Sequence, residues 1–289
     1  MASSSLRISR RQFLLSAAAT MGALAVGSSL GGMLRLSVGR AAVTSPEEIE
    51  GEVKPLPYKP LDPEKVKVYA YELYYKHMHC GAGVFGGLVL ALRQAVGGPW
   101  NNIPIHVLLW QKGGGVGYGA TCGALAGAAS VISLVLPEKL ADQAINQLFR
   151  WYETYPFPSW TPPDKLVEQY GKVKGPLPRS ISYSILCHVS VTRWCLAARK
   201  SSGSPERAER CGRLTGEVAA KAAEILNEIF KTGKVPFVAV DPFTANAEYG
   251  CRSCHRKGAP YETGGWTRAK MDCIVCHKAP HLTLTVKRS

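Results

Sequence analysis

Thr121-Cys122-Gly123-Ala124-Leu125-Ala126-Gly127 lies between a cluster of glycines (Gly113, Gly114, Gly115, Gly117, Gly119) and a run of small apolar residues that stops at Pro137. The stretch reads as a loop opening a helix, and a helix of such small residues lets its neighbours approach closely. Glycines ahead of a helix also suit phosphate-binding loops. Here no Lys-Ser/Thr pair follows and no G-x-G-x-x-G is present, so close helix packing is the expectation. Upstream, Asp62-Pro63 supplies an N-cap and a first-turn proline for a helix predicted to run to Gly97-Gly98-Pro99, with His77, His79 and Cys80 in its middle. Downstream, Leu140, Ile145, Leu148 and Tyr152 recur at near-helical spacing over residues 137–155. Six prolines mark residues 156–180 as a long connection. A helix over residues 185–199 follows, and Ser204-Pro205-Glu206 caps a last long one that runs to Lys231 and is stopped by Gly233. The fold class is therefore mainly α. Residues 43–245 form a helical domain, and residues 246–289 form a short irregular segment too polar to build its own core.

That segment holds Cys251-Arg252-Ser253-Cys254-His255 and Cys273-Ile274-Val275-Cys276-His277. Each is a C-x-x-C-H unit, the pattern of covalent c-type haem attachment. Two thiols at this spacing can each form a thioether to one edge of a porphyrin, and the next His turns its imidazole onto the iron. Two units imply two haems c per chain, held close because eighteen residues separate Cys254 from Cys273. A zinc ribbon shares the cysteine spacing but has no need of a His after both pairs.

The other end sets the compartment. Ser9-Arg10-Arg11-Gln12-Phe13-Leu14 is a twin-arginine pattern leading into an uncharged, Ala/Gly-rich run over residues 12–34, so residues 1–42 read as a signal for twin-arginine export to the periplasm. An ordinary secretory signal or an N-terminal anchor is the alternative, and the stretch Val38-Gly39-Arg40-Ala41-Ala42 is a poor cleavage match. Twin-arginine export carries folded, cofactor-loaded proteins, whereas haem c is attached after export. The helical domain is thus expected to fold early around another cofactor. The whole chain carries a net charge of +14; the first 42 residues hold five Arg and no acid, which leaves 30 − 21 = +9 for the rest. This balance suits an acidic redox partner. No nucleic-acid motif is present, and membrane contact is expected only if the signal is retained.

Nine cysteines less four haem thioethers leave Cys80, Cys122, Cys187, Cys195 and Cys211. In an exported protein, two disulfides and a spare thiol are one reading. The residues fall in apparently buried helices rather than in loops that need stapling, so four thiolates holding a [2Fe–2S] or [4Fe–4S] cluster are another, and free core cysteines a third.

The order Cys80, then Cys122-Gly-Ala-x-x-Gly127, then Cys187-His-x-Ser-Val-x-x-Trp-Cys195, then Arg210-Cys211, resembles the C_GCAxxG_C_C family. With the two C-x-x-C-H units added, the chain resembles the split-Soret cytochromes c over roughly residues 66–280. The resemblance implies a mostly helical homodimer with two bis-His haems per subunit stacked at one end. It also implies an iron–sulfur centre in the helical domain, with [2Fe–2S] as the expected cluster. Cys80, Cys122 and Cys211 match the family's ligand positions, with Cys195 preferred over Cys187 for the fourth.

Bis-His ligation needs two further histidines beside His255 and His277, and the candidates are His188 first, then His79 or His281. Two saturated haems leave no open site for substrate, so electron transfer with an unidentified partner is the expected function. The competing readings are a haem enzyme that reduces a small ligand at a five-coordinate iron, and a structural protein held by disulfides or zinc.

Overall fold

The computed structural model describes residues 55–236 of the 289. The signal segment at residues 1–42, the haem-binding residues Cys251, Cys254, His255, Cys273, Cys276 and His277, and the candidate ligand His281 lie outside the described residues. Within them the chain is helical, and its only β pairing is two isolated bridges, Thr121 with Leu186 and Phe157 with Ser180. No helix among the described residues is long and apolar enough to cross a membrane.

Helix α1 (Pro63–Leu73) starts as its sequence dictates, with the Asp62 carboxylate accepting from the Glu64 and Lys65 amides and Pro63 in the first turn. The expected single helix to residue 97 is interrupted. Between α1 and α2 (His79–Ala95) the backbone leaves the helical path, with His77 and His79 in left-handed conformation at φ 64° and 54°. Neither is glycine, so each costs on the order of 1–3 kcal/mol, a strain kept only where surrounding contacts enforce it. No Gly or Pro marks the break, which is why periodicity passes over it. Its effect is to restart the helix at Cys80.

Helix α3 (Gly123–Val135) lies against α2 so closely that a Cβ on Gly127 would collide with the Gly81 carbonyl. The small residues thus do what the sequence suggests. The glycine cluster before α3 has a different role from the expected helix packing. It forms a tight left-handed loop in which Gly114 and Gly119 have φ of 72° and 73°, and a Cβ there would fall 2.9 Å from Cys187 Cβ and 2.8 Å from His188 Cβ.

Helices α4 (Glu138–Thr154), α5 (Asp164–Gln169) and α6 (Cys187–Ala198) follow, with α5 a short turn inside the proline-rich connection. Helix α7 (Pro205–Thr232) runs from the Ser204 cap, whose Oγ accepts from Arg207 N, to Gly233 at φ 71°. Helix α2 packs on α1, α3 and α7, burying Leu88, Leu92, Leu125, Ile132, Val218 and Leu226 in one apolar core.

Two arginines of α7 are fully buried. Arg213 is neutralised by Glu209, whose Oε1 lies 2.8 Å from its Nε, and its remaining nitrogens donate to the carbonyls of Gly175 (2.7 Å) and Val173 (2.6 Å). Tyr71, Tyr75 and the Lys172 amide also donate to Glu209. Burial pushes the Glu209 carboxyl up, but these donors outweigh it and hold it below the usual carboxylate range.

Candidate metal centre

The break before α2, the loop before α3 and the entry to α6 bring three cysteines to helix starts. Cys80 is the second residue of α2, Cys122 is the N-cap of α3, and Cys187 is the first residue of α6. The loop that precedes α3 also receives α6, since the Cys187 amide donates to Ala120 O (2.7 Å) and the His188 amide to Gly119 O (3.1 Å). Cys211, on α7, faces the same region. Three helix N-termini therefore turn their positive dipole ends to one region, a setting that favours anionic sulfur.

The electrostatics show which thiols share it. Burial pushes the Cys80 thiol up to about 12, and the neighbouring Cys122 and Cys211 push it the same way, against the amides of Gly113 and Gly81. Burial likewise raises Cys122, opposed by the Tyr152 hydroxyl, the Ala124 amide and Arg210. Cys187 is raised by burial and then by Cys122, Cys211 and Cys80 together. Cys195 is raised by burial, and the only thiol it feels is Cys211. It lies about two helical turns beyond Cys187, lining a shallow surface cavity of about 450 Å³ with Val191, Leu196 and Arg199. Cys187 thus feels Cys80, Cys122 and Cys211, whereas Cys195 feels Cys211 alone among the thiols. All five described cysteines are free thiols, so no disulfide forms among the described residues. Nor are three or more His, Cys, Asp or Glu among them drawn close enough to cage a single metal ion.

The second buried arginine of α7, Arg210, belongs to this site. Its Nη2 donates to Ser190 Oγ at 2.7 Å and its Nη1 points at Cys211 Sγ, 3.8 Å away. Its Nε is buried and has no partner. The same Ser190 hydroxyl accepts from Tyr152 at 2.9 Å. The sequence pattern placed Arg210 beside a cysteine but gave no sign that it would be buried. Among the other candidates, His79 is half-buried against the Tyr74 ring, with centroids 6.4 Å apart, and burial, Lys112 and His77 all lower its pKa. His188 is exposed on the first turn of α6.

A helical body that gathers thiols around a buried cation, joined to a segment with two C-x-x-C-H units, defines a redox protein rather than a stapled structural one. The comparisons agree. The C_GCAxxG_C_C family, described as redox-active proteins, matches residues 78–225. Split-Soret cytochrome c of Desulfovibrio desulfuricans is 37% identical over 270 residues, which span 91% of this chain and 93% of that protein. The solved structure of the split-Soret cytochrome c from strain ATCC 27774, described for its novel iron centre, superposes with a TM-score of 0.69 at 38% identity, covering 79% of this chain and 93% of the other. The chain belongs to the split-Soret cytochrome c family.

Proposed function

We propose that the chain is an exported electron-transfer protein with two haems c on its C-terminal segment and an iron–sulfur centre, [2Fe–2S] in type, among the thiols of its helical body. The carrying observation is the convergence of Cys80, Cys122, Cys187 and Cys211 on one buried region that also holds an arginine with an unpartnered N–H. Cys187 replaces Cys195 as the fourth ligand in this reading. Burial raises the thiols of Cys80, Cys122 and Cys187, which are poor neighbours for one another as thiolates, and a bound metal removes that repulsion by taking the protons' place. A novel iron centre in the D. desulfuricans relative supports the same assignment.

When bound, the centre supplies a one-electron couple. The protein's part is to hold it dry and charge-balanced. Helices α2, α3 and α6 start beside it, the Gly113 and Gly81 amides act on the Cys80 sulfur and the Ala124 amide on that of Cys122, and the Tyr74 hydroxyl feels Cys80 and Cys211. On the C-terminal segment, Cys251, Cys254 and His255 would hold one haem and Cys273, Cys276 and His277 the other. His188, His79 and His281 remain the candidates for the distal positions. The protein acts as a homodimer in the periplasm, reached by the twin-arginine route with the helical body already folded. Its positive charge favours an acidic redox partner.

Visible spectra of the purified full chain, oxidised and dithionite-reduced, with and without carbon monoxide, test this reading. A split reduced Soret band unmoved by carbon monoxide is the expected result. A band that shifts with carbon monoxide exposes a five-coordinate iron and replaces electron carriage with small-ligand reduction.

A further inference from the structure

Arg210 is 2% exposed, yet no carboxylate pairs with it among the described residues. Burying an unpaired guanidinium is strongly unfavourable unless a negative charge is placed against it. The carboxylate whose field reaches it is Glu217, two helical turns along α7. That side chain is engaged elsewhere, with Oε1 accepting from Ser159 N (2.8 Å), Ser159 Oγ (2.6 Å) and Trp160 N (2.9 Å). Ser190 and Tyr152, the other polar groups on this side, are neutral. What Arg210 does face is sulfur, with Nη1 toward Cys211 and the field of Cys122 acting on it. Its buried Nε–H has no hydrogen-bond partner among the described residues.

We infer that Arg210 is the counter-charge of the iron centre: its guanidinium neutralises one unit of the centre's negative charge, and its free Nε–H donates to sulfur there. This rests on the iron-centre reading above. Ser190 becomes a positioning residue, because its hydroxyl fixes the guanidinium through Nη2 and links it to Tyr152. Reduction adds an electron, so a fixed positive charge and an N–H donor to sulfur both favour the reduced state. Without them the centre becomes harder to reduce.

The test uses the full iron- and haem-loaded chain and its Arg210→Met and Arg210→Lys variants, with an EPR-monitored redox titration that reads the non-haem centre while the haems serve as internal reference. The expected result for Arg210→Met is a reduction equilibrium constant at least tenfold lower, about 59 mV for a one-electron couple, with the haems unmoved. Arg210→Lys, which keeps the charge but lacks the forked geometry, is expected to fall between. Loss of non-haem iron from Arg210→Met but not from Arg210→Lys, with haem content intact, also supports the role. In wild type grown on 15N-labelled arginine, pulsed EPR of the reduced centre is expected to show a coupled 15N, a readout that holds even if no variant folds. Unchanged potentials in both variants, or no 15N coupling in wild type, overturn the inference. Absence of any non-haem iron signal from wild type overturns the iron-centre reading itself, a separate outcome.

Discussion

Helix α7 buries two arginines one turn apart, and they have opposite surroundings. Arg213 is fully satisfied, with a carboxylate in ion-pair contact, two carbonyls as acceptors and two tyrosines supporting the carboxylate. Arg210 has one hydroxyl, one distant sulfur and an unused N–H. The first arrangement is complete within the protein and ties α1, α7 and the residue 172–175 segment together. The second is complete only with an anion the protein does not provide as a carboxylate. One helix thus carries a structural knot on one turn and, on the next, the arginine proposed to face the iron centre, and the bonding inventory of each arginine tells them apart.

The sharpest way to break this contrast is at the thiols. Cys187→Ser is expected to lose the non-haem iron while keeping both haems, and Cys195→Ser to keep it, as read by iron and acid-labile sulfide analysis. Equal loss in both would return Cys195 to the ligand set. Next in size is the knot. Glu209→Gln leaves Arg213 buried and unpaired and should cost about 3–5 kcal/mol of stability, measured by denaturant unfolding. If it costs under ~1 kcal/mol, the two arginines differ less than their contacts suggest.

Gly119→Ala comes third. Its positive φ and the 2.8 Å approach of His188 Cβ predict a loss of about 1–3 kcal/mol and a displaced start to α6, visible as weakened iron retention. The smallest effect is in the pH response. The Glu209 carboxyl titrates below its usual range, so its contribution is present above that range and is lost as pH falls through the lowered folded value. Glu217 is raised by burial, so its contribution is present below the usual range and fades as pH rises through the raised value. Comparing melting temperature against pH for wild type and Glu209→Gln should show the wild-type advantage shrinking on the acid side.

Much of the helical body is legible in the chain itself. Asp62-Pro63, Ser204-Pro205 and Gly233 mark helix ends through capping chemistry that acts within a turn, and the structure follows them. The interruption at His77 and His79 is invisible to periodicity, because it depends on contacts that Tyr74 and Tyr75 make with α7, far along the chain. The glycine cluster suggests packing rather than a turn for a related reason. Local sequence shows that glycine is needed, but not whether for a close neighbour or for a left-handed turn. At the site, motif order singles out Cys80, Cys122 and Cys211 as candidate ligands. The difference between Cys187 and Cys195 needs the entry angle of α6, which the hydrogen bonds to Gly119 and Ala120 fix. Arg210 gave no signal because an arginine's burial and partners are properties of the tertiary fold.

The most direct test of the central claim is a non-haem iron and acid-labile sulfide count on the full chain purified without oxygen, paired with EPR of the dithionite-reduced protein. The account predicts iron beyond the haem complement, sulfide to match, and a reduced-centre signal distinct from low-spin haem. Iron wholly accounted for by haem, with Cys80, Cys122, Cys187 and Cys211 all reacting as free thiols in the native protein, would contradict it.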